Sequence, residues 1–339
     1  MQKTVLVTGG AGFIGSFLCE ALLRDGHRVI CIDDFSTGHV RNIESFLRIP
    51  DFQLLRLNIN EPFDLESFVE LEPFQLPITG IQEIYHLACP TAIKTFEAQR
   101  ENTLLANSVG TQHILDIAVK YKAKAMLAST SVVYGERSLE KSVFTEEDIG
   151  IVDHLTPRAV YDEGKRFAET MFFAYKDVHG IDAKVARVFR TYGPRMPLFD
   201  GHQIPDFILA ALDNQPIVIN GHEEFKTSLL YVVDLIDGLM RFMETQNDFG
   251  PMNFGSDADM TLADVARKIV EMTGSTSAIT FGEQLGFLSE LGLPSIQKAK
   301  LELGWIPVIR LEDGLRKTID YIKANKLLLT QQNPLDAAK

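Results

Sequence analysis

A chain of 339 residues with 45% hydrophobic and 23% charged residues is long enough for one large domain or two unequal ones and can bury a substantial core. Its 33 Lys plus Arg against 46 Asp plus Glu give a formal charge of −13, the wrong sign for a protein whose main partner is a phosphate backbone, so no nucleic-acid partner is expected. Cys19, Cys31 and Cys89 are odd in number, lack metal spacing and sit in apolar stretches; they read as small core residues of a reducing compartment. No apolar run reaches membrane length, and the strand-like Thr4 to Thr8 meets glycine too soon for a signal peptide, so a cytoplasmic protein without membrane contact is expected.

In chain order, β-rich runs at 3–8, 28–33, 53–57, 83–88 and 124–129 alternate with helical stretches near 13–25, 40–48 and 95–121. That alternation predicts an α/β fold, a doubly wound parallel sheet of Rossmann type with helices on both faces. A helix over 158–179 and a strand from Ala183 to Phe189 continue it. Past 190 the pattern loosens, with helices near 203–213, 232–245, 261–273, 295–303 and 311–323, which predicts a smaller mixed α/β lobe supplying substrate contacts. The expected division is a sheet domain over 1–190 to which 231–250 returns, a C-terminal substrate lobe over 191–230 and 251–330, and a frayed tail over 331–339.

The first strand runs into Thr8-Gly9-Gly10-Ala11-Gly12-Phe13-Ile14-Gly15, a G-x-x-G-x-x-G turn opening a helix. Glycines there allow a tight turn, close approach of backbone N–H groups to a pyrophosphate and packing of helix on strand, and the helix N-terminus favours the negative charge. The second strand ends in Asp33, where a carboxylate accepts hydrogen bonds from adenosine ribose hydroxyls and repels a 2′-phosphate, which favours NAD over NADP. Asn58, after the third strand, either offers its amide oxygen to the adenine amino group or belongs to a plain surface turn.

Tyr161 and Lys165 are spaced i, i+4 and share one helix face. A neighbouring ammonium favours the phenolate needed of a tyrosine base. With Thr130, at the end of a core strand, they compose a Ser/Thr-Tyr-Lys site in which Thr130 holds the reacting hydroxyl and Tyr161 moves its proton. The eight histidines, His86, His113 and His202 among them, show no metal-ligand spacing, so no metal is expected and they read as structural.

These motifs, together with Asp33-Asp34-Phe35-Ser36-Thr37-Gly38, His86-Leu87-Ala88, Tyr192-Gly193-Pro194-Arg195-Met196 and Leu303-Gly304-Trp305, make the chain resemble the extended short-chain dehydrogenase/reductase family of nucleotide-sugar epimerases, dehydratases and decarboxylases. Within it, Tyr161 to Arg166 followed by Ala168-Glu169-Thr170-Met171 is most similar to the UDP-glucuronate decarboxylases. The resemblance implies that NAD is held by Gly9, Gly12, Phe13, Ile14, Asp33, Asn58, Ile59, Leu87 and Ala88 with Tyr161 and Lys165, that Arg190, Arg195 and Lys226 contact a nucleotide-linked sugar, and that the chain is a homodimer. It also implies oxidation at C4, loss of CO2 from the β-keto acid, and re-reduction.

Four positions depart from the family pattern. Val132 stands where decarboxylases and dehydratases carry glutamate, Arg190 where asparagine is usual, and Thr227 and Leu293 where relatives place arginines, the former a holder of the diphosphate. Each lost bidentate contact is a strong charge-assisted one. Arg190 is either a replacement clamp or the partner of an internal carboxylate. The departures keep open a C4-epimerase or dehydrogenase with a changed substrate, and more remotely an NAD-binding interaction protein without catalysis.

Overall fold

The computed structural model describes residues 2–91, 97–283 and 290–330. Strands β1 (Thr4–Thr8), β2 (Arg28–Ile32), β3 (Phe52–Leu55), β4 (Glu83–His86), β5 (Lys124–Thr130), β6 (Ala183–Val188) and β7 (Met252–Phe254) form, among the described residues, a seven-stranded sheet in the order β7-β6-β5-β4-β1-β2-β3. Every pairing in it is parallel. Side chains alternate across the pleat: Val5, Val7, Val29 and Cys31 enter one core while Leu6, Ile30 and Ile32 enter the other. Both faces are covered, which is why these strands read as continuous apolar runs.

The α-helices of seven or more residues among the described residues are α1 (Phe13–Arg24), α2 (Thr111–Tyr121), α3 (Ala159–His179), α4 (Gln203–Leu212), α5 (Val232–Glu244), α6 (Leu262–Thr273), α7 (Gln297–Leu303) and α8 (Leu311–Thr330). Leu18 and Leu22 of α1 share the first core with Leu235, Leu239 and Phe242 of α5. Ile114, Leu115 and Ala118 of α2 and Ala168 and Phe172 of α3 cover the opposite face. Trp305, the single tryptophan, donates its indole N–H to the Asp234 carbonyl at 2.9 Å and packs edge-on against Phe254. The Asp234 carboxylate accepts the Val308 and Ile309 amides at 3.1 and 2.9 Å. Buried contacts therefore tie the C-terminal segments to the end of the sheet.

Several expectations are revised. The helix expected near 40–48 is two 3-10 turns, Val40–Asn42 and Glu44–Phe46, the first capped by the His39 ring accepting from the Arg41 amide at 3.1 Å. Ile43 and Phe46 are buried at the three-residue spacing that a 3-10 turn serves as well as an α-helix. The helical stretch expected over 95–121 is seen from Arg100, its first two residues lying outside the described residues, and a π turn at Ala106–Gly110 interrupts it. There Asn107 turns its amide to the Thr103 carbonyl at 2.8 Å, and Gly110 lies so close to Ile59 that an added Cβ would be 2.8 Å from Ile59 Cδ1. Met252–Phe254, in the range assigned to the lobe, is hydrogen-bonded into the main sheet beside β6. Helix α8 runs to Thr330 rather than 323, and the tail expected over 331–339 lies outside the described residues. No helix among the described residues is long and apolar enough to cross a membrane.

Candidate active site

The sheet order reverses between β1 and β4, and the crevice at the carboxyl ends of such strands is where doubly wound sheets bind ligands. A cavity of about 830 Å³ opens there. Gly9 carries φ +71°, and a Cβ on it would lie 2.9 Å from the Ala88 nitrogen, so the turn fits against the end of β4 only as glycine. At Gly15 an added Cβ would come within 2.1 Å of the Gly9 carbonyl oxygen, which shows how closely α1 approaches the turn. Gly12 is the N-cap of α1 and brings no side-chain cap. Gly9, Gly12, Phe13 and Ile14 all line the cavity.

Asp33 is 7% exposed, its Oδ2 accepting the Ala11 amide and its Oδ1 the Phe35 amide, each at 2.9 Å. Burial raises the carboxyl above its ordinary range, while these amides act in the opposite direction and fix its orientation. Asn58, Ile59, Leu87 and Ala88 line the same half of the cavity. The Asn58 amide oxygen already closes a local turn, accepting the Asn60 amide at 3.0 Å. Thr8 Oγ1 accepts the Leu87 and Ala88 amides, each at 3.2 Å, and meets His86 Nδ1 at 2.8 Å. His86 is buried, its other ring nitrogen 3.2 Å from Thr111 Oγ1, and burial followed by the Lys165 charge pushes its pKa down to about 3. It is a neutral spacer, in keeping with the structural reading.

The structure brings Thr130, Tyr161 and Lys165 together on this cavity. Tyr161 hydrogen-bonds Thr130, which lowers its pKa, yet burial and then the neighbouring Cys89 thiol outweigh that and push the phenol well above its usual value. Lys165, 3% exposed, donates its ammonium to the Ala128 carbonyl at 3.0 Å. Burial thus works against the phenolate expected from the adjacent ammonium, while the Thr130 hydrogen bond works toward it. Cys89 lines the cavity too and accepts from Asn107 Nδ2 at 3.2 Å, a neighbour of the tyrosine that spacing did not disclose. Beneath Thr130, Ser129 Oγ donates to Glu169 Oε1 at 2.5 Å. Arg187 grips both Glu169 oxygens at 3.1 and 2.8 Å and the Tyr134 hydroxyl at 2.8 Å.

The far half of the cavity is lined by Arg158, Phe189, Arg190, His202, Gln203 and Thr227 among others. Arg190 donates to Thr227 Oγ1 at 3.3 Å and lies over the Phe225 ring; burial, then the Arg158 charge, push its pKa down to about 10, still a cation at neutral pH. Arginine at 190 thus meets the residue that replaces the family's arginine at 227. Of the other two expected substrate residues, one lines the cavity with a partner of its own and the other does not line it. Arg195 reaches the cavity wall, but its guanidinium pairs with Glu20 at 2.5 Å and lies over the Phe17 ring at 4.4 Å, held to α1 by charge and stacking. Lys226 is not among the lining residues, because alternation on the short strand Lys226–Thr227 turns Thr227 inward, at 2% exposure. Val132 is buried at the cavity edge and brings no carboxylate. His202, read from sequence as structural, is a lining residue, and Arg158 at the start of α3 was missed; only tertiary structure brings both to the cavity.

The glycine turn that a side chain would fill and the oriented Asp33 carboxylate fit a dinucleotide, and the tyrosine and threonine beyond them suit oxidation of a hydroxyl. That combination defines a nicotinamide-dependent enzyme on a Rossmann-type sheet. The sequence model of the "NAD dependent epimerase/dehydratase family" matches residues 5–255. The chain is 39% identical over 322 residues to UDP-glucuronic acid decarboxylase 1 of Xenopus tropicalis, covering 95% of this chain and 72% of that protein. It is 35% identical over 312 residues to UDP-glucuronic acid decarboxylase 3 of Arabidopsis thaliana, covering 92% and 86%. Among solved structures, the UDP-glucuronic acid 4-epimerase of Bacillus cereus in complex with UDP-glucuronic acid and NAD aligns with a TM-score of 0.82 at 27% identity, over 95% of this chain and 99% of that one. The chain belongs to the NAD-dependent epimerase/dehydratase family, and within it resembles the UDP-glucuronic acid decarboxylases over nearly its whole length.

Proposed function

We propose that the protein decarboxylates a UDP-linked uronic acid by transient oxidation at C4 of the sugar. The observation that carries the reading is the hydrogen-bonded Tyr161 and Thr130, which line one cavity together with the glycine turn and Arg190. Thr130 holds the C4 hydroxyl, and Tyr161, as the phenolate that the Lys165 ammonium and an oxidised nicotinamide ring beside it would favour, takes its proton and later returns it, with Lys165 anchored on the Ala128 carbonyl. NAD, when bound, would supply an acceptor for the C4 hydrogen with its electron pair and a donor for their return. Gly9, Gly12, Phe13, Ile14, Asp33, Asn58, Ile59, Leu87 and Ala88 hold it, and Arg190 faces the acidic part of the substrate. The 4-keto group makes the C5 carboxylate a β-keto acid; as CO2 leaves, the electron pair of the broken bond passes into an enolate with its oxygen on C4, and C5 takes a proton from water before the ketone is reduced.

A second reading, C4 epimerisation or oxidation of a changed substrate, is favoured by Val132, which leaves an apolar side chain where decarboxylating relatives carry an acid. Incubation of the NAD-loaded protein with UDP-glucuronic acid distinguishes them. Release of CO2 without build-up of reduced nicotinamide supports decarboxylation, a 4-epimer without CO2 supports the second reading, and stoichiometric reduced nicotinamide indicates a dehydrogenase. Gly15→Ala should lower retained NAD at least tenfold by pushing the turn off α1, with far-UV circular dichroism unchanged; full retention would count against the cofactor assignment.

The same reading includes a cytoplasmic homodimer. Its support is the three free cysteines and the apolar side chains exposed on neighbouring helices, Leu104, Val109 and Phe167, at 45%, 38% and 53%.

A further inference from the structure

Two polar side chains of the substrate half have no part in the chemistry above. Gln203, the first residue of α4, lines the cavity, and both ends of its carboxamide, Nε2 and Oε1, are buried without a hydrogen-bond partner among the described residues. Buried polar side chains are nearly always paired, so an amide left open at both ends inside a ligand cavity marks a group that the ligand itself completes. Its neighbour His202 also lines the cavity, with Nδ1 2.8 Å from Asp200 Oδ2. Burial and the Arg190 charge disfavour the imidazolium, but Asp200 and Asp206 outweigh them and raise its pKa. Arg190 and His202 are close enough to influence each other, and both face the cavity that Gln203 lines.

A carboxamide offers a donor and an acceptor side by side, and two adjacent sugar hydroxyls, each able to donate and to accept, complement that pair. A lone anion would engage only the Nε2 end and leave Oε1 unpaired. The Arg190 guanidinium on the same cavity suits an acidic group on that ligand, to which the His202 ring can add a hydrogen bond.

We propose that Gln203 is a specificity-determining residue that reads a pair of neighbouring hydroxyls on the sugar of an acidic glycosyl ligand, whose anionic group faces Arg190 and His202. This rests on the reading of the protein as a nucleotide-sugar enzyme and names the part of the substrate that side chain selects.

The test compares the NAD-loaded protein with its Gln203→Leu variant in two measurements. In calorimetric titrations, UDP-glucuronic acid should bind the variant at least tenfold more weakly, whereas UDP, which has no sugar, should bind both equally. In thermal unfolding without nucleotide sugar, the variant should melt about 1–3 °C higher, because leucine removes an unpaired buried amide. Tight, equal binding of UDP-glucuronic acid by both forms would overturn the inference and leave the enzymatic reading standing. Equal weakening of UDP and UDP-glucuronic acid would place Gln203 on the uridine diphosphate part and overturn the sugar assignment. A lower melting temperature would show that the amide supports the fold instead. Failure of the unaltered protein to bind UDP-glucuronic acid, UDP-glucose or UDP would remove the inference together with the reading beneath it.

Discussion

Tyr161→Phe is expected to lower turnover by about 10²- to 10⁴-fold, the range of a general acid–base contribution, while retained NAD and the melting temperature stay as they are. Tyr161 is buried and hydrogen-bonded to Thr130, so phenylalanine fills the same space and removes only the proton-carrying group. Thr130 Oγ1 also accepts the Val132 amide at 3.4 Å, so the substitution leaves that turn capped. Turnover within threefold of the unaltered enzyme would assign the proton transfer to another group. Equal losses in turnover and in NAD retention would mean that the hydroxyl serves binding instead.

The second large effect concerns stability. Glu169 and Arg187 form a two-pronged ion pair whose side chains are 8% and 12% exposed, under the strand end that carries Ser129 and Thr130. Glu169→Ala removes the carboxylate and leaves a guanidinium in the interior, a loss of about 3–5 kcal/mol and a fall in melting temperature on the order of 10 °C. Glu169 with its hydrogen bonds holds the Arg187 charge against desolvation, pushing its pKa up despite burial. Replacing both partners, Glu169→Leu with Arg187→Met, should recover much of that loss, because no isolated charge remains. Calorimetry on the three variants decides the matter: a single substitution costing under 1 kcal/mol, or a double variant no better than the single, would show that the pair is not what steadies this strand end.

Much of this was legible in the amino-acid order because it rests on local rules. Two-residue alternation fixed the faces of Val5, Leu6 and Val7; the glycine turn and Asp33 follow from strand-to-helix geometry; Tyr161 and Lys165 share a face at any helix's four-residue spacing. What escaped depends on contacts distant in sequence. Met252–Phe254 is three residues long and is a strand only because β6 lies beside it. Lys226 and Thr227 look equivalent in sequence until the strand chooses which faces the cavity. Arg195 lines the cavity, but its pairing with Glu20, on the first helix, is a tertiary contact that its motif does not show. The buried carboxamide of Gln203 has no signature in composition or spacing, since its isolation is a property of the assembled wall.

The place of β7 at the sheet's edge also governs how the chain comes off the ribosome. Ala183–Val188 emerges well before the strand that covers its outer side, Met252–Phe254, leaving its backbone donors and acceptors open on one flank. With synthesis at about 5–20 residues per second, the sixty-odd intervening residues correspond to a delay of roughly 3–13 s. During that interval the nascent chain presents a short open strand edge to any neighbouring strand, another nascent copy included. Polysomes crowded on one message bring such copies together, so expression yield should respond to translation speed through the stretch after residue 190 more than before it.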